Sequence, residues 1–251
     1  MASSNIKLKH KTEKAVFELR FNPKLDFFDK LFEENVFQSE FEKWFTDRLK
    51  ITFSDTKKKH SLLINHEKIV YEIDSFDKAI EKEYIDKIIK SYNLFFKNED
   101  LNRIGHRFWI LIPIKEMSFE DLNELFNIKV YSEGLLTSLG DNPIDNLVSI
   151  RSKAGDLHYK LDFAPISKIQ IPEFIKLNIQ SHISQDRFES VKEVNRIYDE
   201  YPEVALYLDL DISIEIDDIR KLENNISKFY NDSIELREKI NSDILNHFFK
   251  A

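Results

Sequence analysis

Between residues 15 and 21 apolar and polar positions alternate: Ala15, Phe17, Leu19 and Phe21 fall on one side of an extended chain, Val16, Glu18 and Arg20 on the other. A strand with one buried face has this period of two. The same period returns more strongly at 205–216, with Leu206, Leu208, Leu210, Ile212, Ile214 and Ile216 facing one way and Tyr207, Asp209, Asp211, Ser213 and Glu215 the other. Further strands are predicted at 48–54, 60–66, 68–75, 102–114, 146–153 and 157–164, the last two joined by a tight turn at Ala154, Gly155 and Asp156.

Elsewhere the period lengthens. After Pro23 the residues Leu25, Phe28, Leu31 and Phe32 share a helical face, and a short helix at 38–47 carries Phe41, Trp44 and Phe45. Asp74 or Ser75 caps a helix at 77–97 that turns Tyr84, Ile85, Ile88, Ile89, Tyr92 and Phe96 inward. Ser118, with Asp121 three residues on, starts another. Short helices at 132–139, ended by Gly140, and at 186–200, an extended piece near 174–182 and a long helix at 217–249 complete the reading.

The order strand, helix, helix, three strands, long helix thus occurs twice. Laying Arg20-Phe21 on Arg107-Phe108 puts Phe17 on Ile104 and Leu19 on His106 with the same face inward. The fold class expected is α+β: antiparallel sheets with helices packed on one face, in two pseudo-repeated halves, 1–98 and 99–251, the second carrying an insertion at 165–203.

Composition narrows the chemistry. The 251 residues include no cysteine and four glycines, which excludes disulfides, thiolate metal sites, Cys nucleophiles and a Gly-x-Gly-x-x-Gly phosphate loop. The net charge of −8 opposes non-specific nucleic-acid binding. Lys7, Lys9, His10 and Lys11, and Lys57, Lys58, Lys59 and His60, are basic clusters, the second read as a solvated hairpin tip. No apolar signal core or membrane span appears, so a cytoplasmic protein is expected.

Two constellations carry candidate chemistry. Arg103 and Arg107 share a strand face with Gly105 and Trp109, a pattern suited to capturing an anion, with the indole as a stacking wall. The competing reading pairs these arginines with Asp209, Asp211 or Glu215 on a neighbouring strand. Asp209 and Asp211, two apart on one strand, could hold Mg²⁺, or form the wet face of an antiparallel strand. His106 points the other way, as a hydrogen-bonded core residue would. No cofactor is called for. In the last helix Ile219, Leu222, Ile226, Phe229, Leu236 and Ile240 form a stripe that packs either on its own sheet or against a second copy.

Three segments resemble a sporadically distributed family of prokaryotic proteins of about this length, catalogued without an assigned function: Glu13–Phe21, the run Arg103-Ile104-Gly105-His106-Arg107-Phe108, and Leu208-Asp209-Leu210-Asp211 leading into the helix from Asp217. The chain departs from the family pattern at Ile110, where the family has Asn, and at His106, usually apolar; it also lacks the His usual near the start of the late helix. The resemblance implies the fold layout and defence-associated gene neighbourhoods, and supplies no reaction. The leading expectation is a non-enzymatic binding or regulatory protein acting through protein contacts, with a homodimer through the C-terminal helix as one form. The alternatives are a nucleotide or anion binder using Arg103, Arg107 and Trp109 in a cleft between the halves, and a Mg²⁺-dependent enzyme using Asp209 and Asp211.

Overall fold

A computed structural model describes residues 11–30, 37, 40–46, 48–55, 59–74, 81–96, 101–132, 135, 146–175, 199–215 and 222–249. Among these residues nine strands form one antiparallel sheet: β1 (Lys11–Phe21), β2 (Lys43–Thr46), β3 (Lys50–Asp55), β4 (His60–Asn65), β5 (Lys68–Asp74), β6 (Leu101–Pro113), β7 (Val148–Ala154), β8 (Leu157–Ser167) and β9 (Val204–Glu215). Their order across the sheet is β2-β3-β4-β5-β1-β6-β9-β8-β7. Among the described residues four helices accompany it: α1 (Glu81–Phe95), α2 (Phe119–Val130), the four-residue α3 (Ile171–Phe174) and α4 (Leu222–Phe249).

Two sheets facing one another across a cleft were one way to build two halves. Instead β1 and β6 pair directly, from Lys11 opposite Leu111 to Phe21 opposite Leu101, and make the sheet continuous. The reason is visible in the alternation. Phe17 and His106 face each other across this seam and are both fully buried. Separating the strands would expose that row and leave two sets of backbone donors and acceptors unpaired.

The inward rows of the strands join Tyr84, Ile88 and Phe95 of α1, Leu122 and Phe126 of α2, and Ile226, Phe229 and Leu236 of α4 in one apolar cluster. Rings pack edge-on through its centre, with Phe17 6.0 Å from Tyr84 and 5.9 Å from Phe229 between centroids. A second, smaller cluster uses the opposite strand parity: Trp109, Leu111, Ala164 and Tyr207, covered by Ile171 and Ile175. Part of the inserted segment therefore shields one end of the other sheet face, which a plain helices-on-one-face layout leaves bare.

Several local expectations need correction. The stretch placed in a helix at 38–47 contains β2, paired through Trp44 with Phe53 and Phe45 with Thr52. Helical spacing of aromatics yields here to the open hydrogen-bonding edge of β3. After Pro23 the backbone makes a 3-10 turn, Leu25–Lys30, which buries Phe27 and leaves Leu25 exposed. His60 leaves the basic hairpin tip altogether: it is fully buried, with Nδ1 2.7 Å from the Tyr71 hydroxyl. The capping box at Ser118 forms in both directions, Asp121 N–H donating to Ser118 Oγ at 3.1 Å and Ser118 N–H to the Asp121 carboxylate at 3.2 Å. The tight turn forms with Gly155 at φ 60°, a conformation that disfavours side chains. The helices predicted at 132–139 and 186–200 and the extended piece at 174–182 lie almost wholly outside the described residues.

Candidate functional site

Arg103, Gly105, Arg107 and Trp109 lie side by side on the face of β6 opposite the main core, at the β1–β6 seam rather than in a cleft. The register sets Arg107 opposite Asp211 and Trp109 opposite Asp209 on β9. The ion pairs run diagonally, as long side chains on twisted strands can. Arg107 closes on Asp209 with two hydrogen bonds, Nε to Oδ1 at 2.7 Å and Nη2 to Oδ2 at 2.6 Å. Arg103 bridges two strands, reaching Glu18 on β1 at 3.2 Å and Asp211 on β9 at 3.3 Å.

The glycine between the arginines has a specific use. A Cβ at Gly105 would stand 3.0 Å from Arg103 Nη1. The guanidinium of Arg103 lies across the notch and so spans from Glu18 to Asp211. The space that could admit a ligand is taken by the neighbouring side chain.

Trp109 is held between cations. The Arg107 guanidinium sits 4.5 Å from the ring centroid and Lys14 Nζ 5.4 Å from it. Lys14 also pairs with Glu72 at 2.8 Å. The Asp209 side chain is 10% exposed, whereas that of Arg107 is 45% exposed. Tyr207 Oη lies 3.4 Å from Asp209 Oδ2 and 3.3 Å from the Phe174 carbonyl. Hydrogen bonding to Asp209 raises the Arg107 pKa against the effect of burial. Burial, opposed by Arg103 and Arg107, raises that of Asp211.

Asp209 and Asp211 thus each accept from a guanidinium. Among the described residues no group of three or more His, Asp or Glu side chains is arranged to hold a metal ion. Mg²⁺ at these carboxylates would compete with Arg107 and Arg103 for the same oxygens.

His106 belongs to the interior. It is fully buried, and its Nδ1 lies 2.8 Å from Ser233 Oγ, which itself donates to the Tyr230 carbonyl at 2.7 Å. The single hydroxyl proton is committed to that carbonyl, so His106 Nδ1–H is the donor to Ser233. Burial, reinforced by Arg237, lowers the His106 pKa well below 6.5. The unfolded chain therefore takes up a proton near pH 6.5 that the folded chain refuses. Stability from this group is complete above about pH 6.5 and falls as the pH drops below it, by at most about 1.4 kcal/mol per unit. Denaturant melts at pH 7.5, 6.5 and 5.5 are expected to show this decline, and His106→Gln to flatten it. An equal slope in the variant would assign the decline to other groups.

Of the stripe on the last helix, Ile226, Phe229, Leu236 and Ile240 join the main cluster, while Ile219 and the Leu222 side chain lie outside the described residues. Packing these four side chains against a second copy would require removing them from their own sheet. Among the described residues no helix is long and apolar enough to cross a membrane.

One edge strand escaped sequence reasoning, with its two aromatics on opposite faces: Trp44 lies opposite the buried Phe53 and Phe45 opposite Thr52. On the outer strand β2, Trp44 is 47% and Phe45 60% exposed, and Leu49 in the following turn is also exposed. Phe45 stands in register with Thr52, and through it with Leu63 and Val70, so a partly apolar row crosses four strands on the open face. The signal was present as Lys-Trp-Phe-Thr, a β-prone tetrapeptide, but four residues show no period.

Compared with models of known protein families and with curated proteins, the chain matches none.

Proposed function

We propose that this protein is a non-enzymatic binding module that acts through protein contacts, with the β2 edge as its recognition surface. The observation that carries the reading is a contrast. The arginines and carboxylates of the open face neutralise one another within the chain, whereas the edge strand presents Trp44 and Phe45 to solvent. An edge strand offers backbone donors and acceptors to an added strand, and exposed aromatics supply the area that makes such pairing specific. Charges that are already paired attract an anion weakly, which lowers the claim of the nucleotide-binding and Mg²⁺-dependent readings.

The test is site-specific photocrosslinking in the producing cell. A benzophenone amino acid at position 45 is expected to give one dominant protein adduct. The same probe at the exposed Ile128 is expected to give none of that adduct. Absence of an adduct at position 45 would overturn the reading. An adduct that survives Trp44→Lys in the same chain would show that Trp44 takes no part in the contact.

We also propose that residues 1–98 and 99–251 descend from one duplicated unit, in keeping with the element order that the sequence repeats. The register supports this. With Phe17 laid on its seam partner His106, Lys14 falls on Arg103, and their partners Asp74 and Glu215 coincide. The pair Ser61–Glu72 then falls on His158–Ser213, and Asp55–His60 on Ala154–Leu157. The first residues of α1 and α4, Glu81 and Leu222, coincide as well, and buried Ile88 and Phe95 fall on Phe229 and Leu236. This alignment differs by two residues from the one read on Arg20-Phe21, and a shift of two keeps every side chain on its face.

A further inference from the structure

Beside α4, under the β7–β8 hairpin, the structure has a cavity of about 690 Å³, within the usual range for ligand sites. Its floor is apolar, made by Leu157, Ile214, Phe229 and Leu236. Its rim is charged: Asp156, Glu215, Asp232 and Glu235 outnumber Lys228 and Lys239.

The equivalent place in the first half lies between α1 and the β3–β4 hairpin, and it is filled. Phe37 is fully buried and Phe41 nearly so, each with its ring 5.4 Å from that of Phe53. Phe41 also packs 5.1 Å from His60, the residue that corresponds to Leu157. Lys87 lies over the Phe41 ring at 4.8 Å. Lys228 holds the same place in α4, counted from the first residue of the helix. In the second groove no aromatic side chain from outside α4 is inserted among the described residues lining it.

We infer that the groove between α4 and the β7–β8 hairpin receives an aromatic side chain from a peptide segment of a partner protein, presented beside a basic residue. The inference rests on the duplication for the shape of the occupant and on the rim for its charge. An inserted phenyl ring seats over the floor beside Leu157, as Phe41 seats beside His60. A neighbouring Lys or Arg meets the carboxylate excess, chiefly Asp232 and Glu235 on α4. It is a second contact surface, separate from β2.

The probe is the blocked dipeptide Phe-Lys amide, titrated into the full chain with methyl resonances recorded by NMR. Shifts are expected at Leu157, Ile214 and Leu236, with affinity at least tenfold weaker for Phe-Glu amide and for Ala-Lys amide. Asp232→Lys with Glu235→Lys, a change on the rim that leaves the floor intact, is expected to reverse the preference between Phe-Lys and Phe-Glu. Leu157→Trp is expected to fill the groove and abolish the shifts. No methyl shift at millimolar Phe-Lys, or equal affinity for Phe-Glu, would overturn the inference. So would contacts between these methyls and residues 133–145 of the same chain, which would mean that the groove is closed from within. The crosslink at position 45 does not bear on these readouts, so either surface can fail without the other.

Discussion

Phe17→Ala is expected to lower the stability of the whole chain by about 3–5 kcal/mol, the range for truncating a buried Phe. Phe17 is fully buried on β1 and touches rings from three other elements: Tyr84 on α1, His106 on β6, and Phe229 and Tyr230 on α4. Removing its ring opens a cavity at the seam that joins the two parts of the sheet. Those walls are held by three different elements, so they collapse only in part, which places the cost in the upper range. Val16 on the opposite face is half-buried, and Val16→Ala is expected to cost about 1 kcal/mol. Equilibrium denaturation of both variants measures the difference. A Phe17→Ala cost no larger than that of Val16→Ala would show that the seam is not a shared core.

Arg107→Ala is expected to cost about 1–3 kcal/mol, more than an exposed ion pair contributes. The cost falls on the partner. Asp209 is mostly buried and accepts both hydrogen bonds from the guanidinium, so among the described residues its carboxylate would retain only the Tyr207 hydroxyl at 3.4 Å. Alternation alone treats this pair as surface charge worth under about 1 kcal/mol; the burial of one partner changes the size of the effect. In a cycle with Asp209→Ala the double variant is expected to recover part of the loss, because no carboxylate is then left without its cation. Additive losses would mean that the pair is not coupled. Thermal stabilisation of the parent chain by ATP, lost in Arg107→Ala, would instead make the arginine strand a ligand site.

The strands were legible because their signal is local. Period-two alternation at 15–21, 102–114 and 205–216 reports which side of each strand is buried, whatever lies next to it. The capping box at Ser118 and the turn at Gly155 are equally local, since their hydrogen bonds and backbone angles involve neighbours in the chain. Trp44 and Phe45 were misread for the opposite reason: whether four residues become helix or strand depended on the free edge of β3, which only the sheet supplies.

Charge pairing shows the same division. The sequence by itself put Arg103 and Arg107 on one face and Asp209, Asp211 and Glu215 on another strand, and left their partners open. Only the folded sheet shows that Arg107 takes Asp209 and that Arg103 takes Asp211 together with Glu18 of a third strand. Gly105 reads in sequence as room for a ligand and in the structure as room for Arg103, because only the folded arrangement shows which atoms arrive first. The direct pairing of β1 with β6 is likewise a tertiary decision. Alternation says that Phe17 and His106 must be buried, and only the joining of two sheet edges says that they are buried against each other.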